Sequence, residues 1–177
     1  MQPQKVSFSD TLDGIGLLLR RQQYKEALEQ THQLSQMAMQ QQLQLILQRF
    51  LAELCMECLE LSGNFETALQ FCEYSLEQYQ EQIGVQSNEA QKDRLTLELR
   101  KLCLLIKLDR RSEAFTHSKA LLAHANDQQK RNLHPVINRI NRYSSGAVEM
   151  LTAEQKKIGL FHFSDILATH GAKAITE

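Results

Sequence analysis

The sequence predicts an all-α fold, a stack of antiparallel helical hairpins, and three observations carry that prediction. The 177 residues hold only 7 Gly and 2 Pro, too few for the many tight turns of a β-sandwich or barrel. Unbranched helix formers, Leu and Gln above all, outnumber the β-branched residues that favour strands. A six-residue pattern also recurs, as Gln23-Tyr24-Lys25-Glu26-Ala27-Leu28, Asn64-Phe65-Glu66-Thr67-Ala68-Leu69 and Arg110-Arg111-Ser112-Glu113-Ala114-Phe115. The aligned alanines Ala27, Ala68 and Ala114 lie 41 and 46 residues apart, intervals that suit a repeated helix–turn–helix unit. Each unit alone leaves an apolar face exposed, so units must stack. With 42% hydrophobic residues, a single domain over 1–177 buries about two-thirds of its surface.

The elements follow in order. Leu12, Ile15, Leu17, Leu18 and Leu19 predict a first helix over about 10–21, capped by Ser9 or Asp10. Gly14 and Gly16 inside it each cost up to about 1 kcal/mol against Ala. A second helix over about 24–37 carries the stripe Tyr24, Ala27, Leu28, Thr31 and Leu34. The third, over about 40–62, is apolar on more than one face and is therefore expected to be central. The fourth, over about 65–83, repeats apolar positions at i+3 or i+4 from Phe65 through Ala68, Leu69, Cys72, Leu76 and Tyr79 and is closed by Gly84. Ser87 or Asn88 caps a fifth helix that runs to about Leu108 and is apolar nearly all round at its end. A sixth covers about 112–124, and a seventh from Asp127 meets Pro135, where a kink or fresh start is expected. Ser144-Ser145-Gly146 breaks the chain, and Thr152 with Gln155 reads as a capping box for a last helix that Ser164-Asp165 restarts and His170-Gly171 ends. The predicted hairpins are thus about 10–37, 40–83 and 88–125, followed by capping helices over 127–171. The amphipathic tail around Phe161-His162-Phe163 is expected to cap the last hairpin, with docking in a groove as the alternative.

On these residues the chain resembles a tetratricopeptide (TPR)-type helical repeat. Ala27, Ala68 and Ala114 match that family's small residue early in the second helix, Tyr24 and Phe65 its inter-helix aromatic, and Gly63 its turn. The resemblance covers roughly residues 10–125. The spacing exceeds the family's usual repeat of about 34 residues, Arg111 stands in the third aromatic slot, and Ile15, Met56 and Leu102 fall where a first-helix glycine belongs. The resemblance implies a TPR-like solenoid of about three hairpins, and an irregular bundle of similar hairpins is the alternative.

The net charge of −1 conceals opposed blocks. Residues 50–91 carry eight Glu and no Lys or Arg, whereas residues 92–142 carry twelve basic and five acidic side chains, so adjacent segments hold −8 and +7. Concave faces of helical arrays select extended or helical peptides with polar residues of each first helix. Arg49, Glu53, Glu57, Arg94, Glu98 and Lys101 occupy such positions and are the predicted partner contacts. The acidic unit favours a basic segment of a partner protein; the basic region favours an acidic one, or the acidic face of a second copy. The alternative is a nucleic-acid-associated regulator using Lys130, Arg131, Arg139 and Arg142, although Tyr143 is the single aromatic nearby.

The sequence offers little catalytic chemistry. Cys55-Met56-Glu57-Cys58 is a C-x-x-C deep inside a predicted helix, where two cysteines three apart share the core face instead of forming a zinc or redox site. His117 and His124 share a face, but H-E-x-x-H, G-x-S-x-G and a P-loop are absent, and Gly14-Ile15-Gly16 lacks a third glycine and a preceding strand. The expectation is a non-enzymatic protein without metal or cofactor. No apolar run approaches the roughly 18 residues of a membrane span, and four cysteines in helical pattern suit a reducing, cytoplasmic setting.

Overall fold

The computed structural model describes residues 7–42, 44–81 and 88–173, and the side chains at 45, 79–81 and 88–90 lie outside that description. Among the described residues the chain is all-helical, as predicted: α1 (Phe8–Arg20), α2 (Tyr24–Gln40), α3 (Leu45–Leu61), α4 (Phe65–Glu81), α5 (Asn88–Lys107), α6 (Arg111–His124), α7 (Asp127–Ile140), a 3₁₀ turn (Ser145–Ala147), α8 (Val148–Lys157) and α9 (His162–His170). The Gly84 stop and Ser87 cap fall outside the described residues.

Several boundaries differ from expectation, each for a local reason. Ser7, not Ser9 or Asp10, caps α1: its hydroxyl accepts from the Asp10 amide at 3.1 Å, and Asp10 accepts from the Ser7 amide at 3.3 Å. Helix α2 ends at Gln40 and α3 begins at Leu45, later than predicted. Pro135 does not end α7, which runs through it while Leu133, Ile137 and Ile140 bury the opposite face. The expected Thr152–Gln155 box does not form. Helix α8 has already begun at Val148, the Thr152 hydroxyl bonds back to the Val148 carbonyl at 2.8 Å, and Gln155 is buried. The restart expected at Ser164-Asp165 comes earlier, with α9 beginning at His162 after the turn at Gly159.

One backbone turn recurs four times. After α1, α3, α5 and α8, a left-handed residue (Gln22, φ 58°; Gly63, 83°; Asp109, 59°; Gly159, 80°) stops the helix. The amide after each bonds back to a carbonyl of the last turn: Gln23 to Leu18, Asn64 to Leu59, Arg110 to Leu105 and Leu160 to Gln155, at 2.9, 2.9, 2.8 and 2.9 Å. This double-bonded stop satisfies carbonyls the helix end would otherwise orphan. Five residues past each stop stands a small buried residue: Ala27, Ala68, Ala114 and, in the copy that sequence alignment missed, Ser164. Phe161 fills the aromatic slot of that fourth copy and is fully buried.

The chain divides into two compact units, one of residues 1–64 with 161–177, the other of residues 65–160. The predicted middle hairpin therefore contributes α3 to the first unit and α4 to the second. In the first unit α2 packs on both α1 and α3, and α9 packs on α1 and α3. Its core comprises Leu12, Ile15, Leu19, Ala27, Leu34, Ala38, Leu51, Leu54, Cys58, Leu167 and Ala172. The tail helix thus packs on α1 and α3 of the first unit. In the second unit α5 is central, contacted by α4, α6, α7, the 3₁₀ turn and α8. Residues 102–107 of α5 are buried without a break, which the all-round apolar pattern anticipated. Two cations are buried on α5 as well. Arg100 donates to the Leu160 carbonyl, and Lys107 donates to Thr152 Oγ1 at 2.9 Å with its ammonium 5.2 Å from the Phe65 ring centre.

Candidate interaction surface

The six predicted partner contacts meet different fates. On α3, Arg49 is exposed and Glu53 half-buried, but Glu57 is only 1% exposed. This is a correction: Glu57 is not a surface contact. Its carboxylate accepts from the Phe163 and Ser164 amides at 3.3 and 2.6 Å, inside the first unit. Helix α9 has no side-chain cap of its own, so Glu57 supplies the acceptor and negative charge that its first turn needs. The i, i+4 stripe that is solvated at Arg49 becomes buried eight residues later because α9 lies across it.

On α5 all three predicted residues are engaged within the second unit. Arg94 lies 3.6 Å from Glu98, Glu98 lies 3.4 Å from His117 Nε2, and Lys101 Nζ is 2.8 Å from Glu73. Arg110 reaches Glu66 at 3.7 Å and grips Glu113 with two bonds of 2.7 and 2.6 Å. The Arg110 hydrogen bonds hold the Glu113 carboxyl below the usual carboxylate range. Glu66 and Glu73 belong to the −8 block, Lys101 and Arg110 to the +7 block. In these pairs the opposed blocks meet between neighbouring helices of one unit, which reduces the charge that the sequence assigned to a partner.

Exposed aromatic residues are the surface feature that sequence reading missed. Tyr74 on α4 is 61% exposed and Phe115 on α6 is 59% exposed. Lys119 Nζ sits 4.3 Å over the Phe115 ring, a cation–π pair at the surface. The alignment placed Phe115 beside Leu28 and Leu69, of which Leu69 is fully buried. Tyr74 was legible in principle, because it lies off the stripe Phe65, Ala68, Leu69, Cys72, Leu76.

Lys130, Arg131 and Arg139 of the basic run lie on α7 and Arg142 in the turn after it, and all four are exposed. Arg139 pairs with Glu154 of α8 at 3.1 Å, and Arg131 donates to Gln128 at 3.0 Å. Within α7, Asp127, Arg131, His134 and Asn138 stand opposite the buried stripe Leu133, Ile137, Ile140, and Arg142 follows the helix end.

The cysteines sit in packed surroundings. Cys55, Cys58, Cys72 and Cys103 are buried free thiols, and the Cys72 thiol donates to the Leu97 carbonyl at 3.2 Å. Burial pushes the Cys55 thiol up to about 11 and, with the charges of Cys55 and Glu57 adding, the Cys58 thiol up to about 12. A thiol so disinclined to ionise is a poor nucleophile at neutral pH. Among the described residues no three His, Cys, Asp or Glu side chains are grouped to hold a metal ion. No helix is long and apolar enough to cross a membrane among the described residues. Gly14 and Gly16 lie within α1, away from any strand-to-helix phosphate loop.

No protein-family model, no curated protein and no solved structure matches this chain.

Proposed function

We propose that the chain is a non-enzymatic protein-interaction module, a TPR-like adaptor, scaffold or regulatory protein that binds a peptide or helix of a partner protein. The observation that carries this reading is the helix stop that recurs four times with a small buried residue five positions on. Such repetition builds a helical framework for presenting surface, and the second unit presents Tyr74 and Phe115 on it. Large exposed aromatics flanked by charge are the residue types that dominate interface energetics. Four buried thiols suit a cytoplasmic setting. Arg49 and the half-buried Glu53 keep their place as candidate contacts on α3.

The test is affinity capture on the immobilised full chain, repeated with Tyr74→Ala and Phe115→Ala. A true anchor weakens capture of a given partner by at least about 2 kcal/mol, roughly thirtyfold. Retention of every partner by both variants removes this surface from the reading.

The second reading, a nucleic-acid-associated regulator, draws on the exposed cations Lys130 and Arg131 of α7 and Arg142 just past it. It predicts salt-dependent binding to generic RNA or DNA that Arg131→Glu with Arg142→Glu abolishes. Absence of binding at low salt eliminates it.

A further inference from the structure

The contacts that hold α9 in the first unit have the character of a recognition site for a helix. At one end the Glu57 carboxylate, itself buried, takes the Phe163 and Ser164 amides at 3.3 and 2.6 Å. In the middle, the α1 backbone comes so close to α9 that a Cβ on Gly16 would stand 2.5 Å from the Leu167 carbonyl oxygen. Leu167 is fully buried in the unit's core, and Phe163 meets Phe50 edge-to-face with ring centres 5.3 Å apart. At the other end Asp13 accepts from the Ala172 amide at 2.7 Å, beside Gly171 at φ 60° and ψ −149°, a conformation essentially restricted to glycine. Both ends and the crossing point of one helix are thus matched by residues far from it in sequence.

The helix so held is weakly held together on its own. It has nine residues and no side-chain cap, and isolated helices below about 12 residues are marginal in water. It is joined to α8 by the Gly159 turn.

We propose that the groove between α1 and α3 is a helix-receiving site, that α9 occupies it in cis, and that a partner's short amphipathic helix of the same chemistry displaces α9. This rests on the reading of the chain as a protein-binding module and names its ligand. The partner helix has an uncapped first turn for Glu57, an apolar residue in the place of Leu167 beside the close approach at Gly16, and a glycine after its last turn next to Asp13. With α9 docked, the groove is closed to partners, so α9 sets the binding threshold. The apparent affinity of an incoming helix falls by the fraction of chains whose groove is open.

The probe is a fluorescent synthetic peptide of residues 158–173 added to the full chain. Leu167→Asp in the full chain undocks the resident helix and leaves α1 and α3 unchanged. Gly171→Val does the same from the other end where Leu167→Asp proves too disruptive to fold. The expected result is saturable binding to either variant, at least about tenfold tighter than to wild type, and its loss when Gly16→Leu is added. Hydrogen exchange on the wild type separates a displaceable helix from ordinary core. The proposal requires the amides of Ser164 to Leu167 to open while those of α2 and α3 stay protected. Opening of α9 only together with α2 and α3, or equal peptide affinity for wild type and variants, overturns it. Wild-type dimers that Leu167→Asp dissociates would make a second copy's α9 the occupant and overturn the assignment to a partner helix. Peptide binding with Tyr74 and Phe115 dispensable for capture leaves the groove standing and removes only the aromatic surface. The reverse outcome removes only the groove.

Discussion

Two glycines two residues apart in α1 respond to alanine in opposite directions. Helix propensity alone says that Gly14→Ala and Gly16→Ala each stabilise by up to about 1 kcal/mol. At position 14 nothing opposes that gain, since the new Cβ meets the end of the flexible Gln30 side chain at 3.3 Å. At position 16 the Cβ would lie 2.5 Å from the backbone oxygen of Leu167 and 3.3 Å from its carbon. Ordinary contact requires α9 to retreat by most of an ångström, and Glu57 and Asp13 tie it at both ends. Overpacking of this kind costs about 1–3 kcal/mol, toward the upper end here because the obstacle is backbone. The net expectation is stabilisation of about 0.5–1 kcal/mol for Gly14→Ala and destabilisation of about 1–2 kcal/mol for Gly16→Ala. At about 2–4 °C per kcal/mol for a chain of this size, thermal denaturation should separate the two variants by several degrees, with the wild type between them. Urea titration supplies the free energies directly. A Gly16→Ala protein as stable as Gly14→Ala would refute the close approach of α9 to α1.

Four further outcomes are expected. The left-handed helix stops predict that Gly63→Ala and Gly159→Ala each lose about 1 kcal/mol, whereas Gln22→Gly gains about 0.5–1 kcal/mol; chemical denaturation of the three variants checks the signs. Cys55 and Cys58 should resist a thiol reagent at pH 8 in the native protein and react on unfolding. Because folding raises both thiols from 9.0 to about 11 and about 12, their contribution to stability is complete below pH 9 and is lost as pH rises toward those values. Cys55→Ala with Cys58→Ala should flatten that alkaline decline. A double-mutant cycle on Glu73 and Lys101, whose side chains are 39% and 24% exposed at 2.8 Å separation, should return a coupling below about 1 kcal/mol that salt diminishes.

How far the sequence reached depends on the range of the interaction concerned. Helix positions were legible because their causes are local. Ala27, Ala68 and Ala114, a few residues past their helix stops, are all buried. Tyr24 and Phe65 open α2 and α4 where the alignment set them. The Thr152–Gln155 box failed because a capping pattern carries no information once a helix has begun upstream. The fourth turn escaped alignment because Ser164 replaces the alanine that marked the other three.

The sequence by itself determined the all-helical character of the described residues, most of their breaks, the apolar stripes of the main helices and the burial of the cysteines, since periodicity and capping act over a few residues. Only the tertiary structure decided which faces meet. Glu57 looked like a solvated glutamate on a polar stripe, and α9, more than 100 residues away, turned it into a buried cap. Gly16 looked like a flaw in α1, and the same helix made it a point of close approach. The −8 and +7 blocks looked like two binding faces, and in Glu73–Lys101 and Glu66–Arg110 they meet within one unit. Each of these roles is conferred by a residue distant in the chain, and spacing along the sequence cannot encode it.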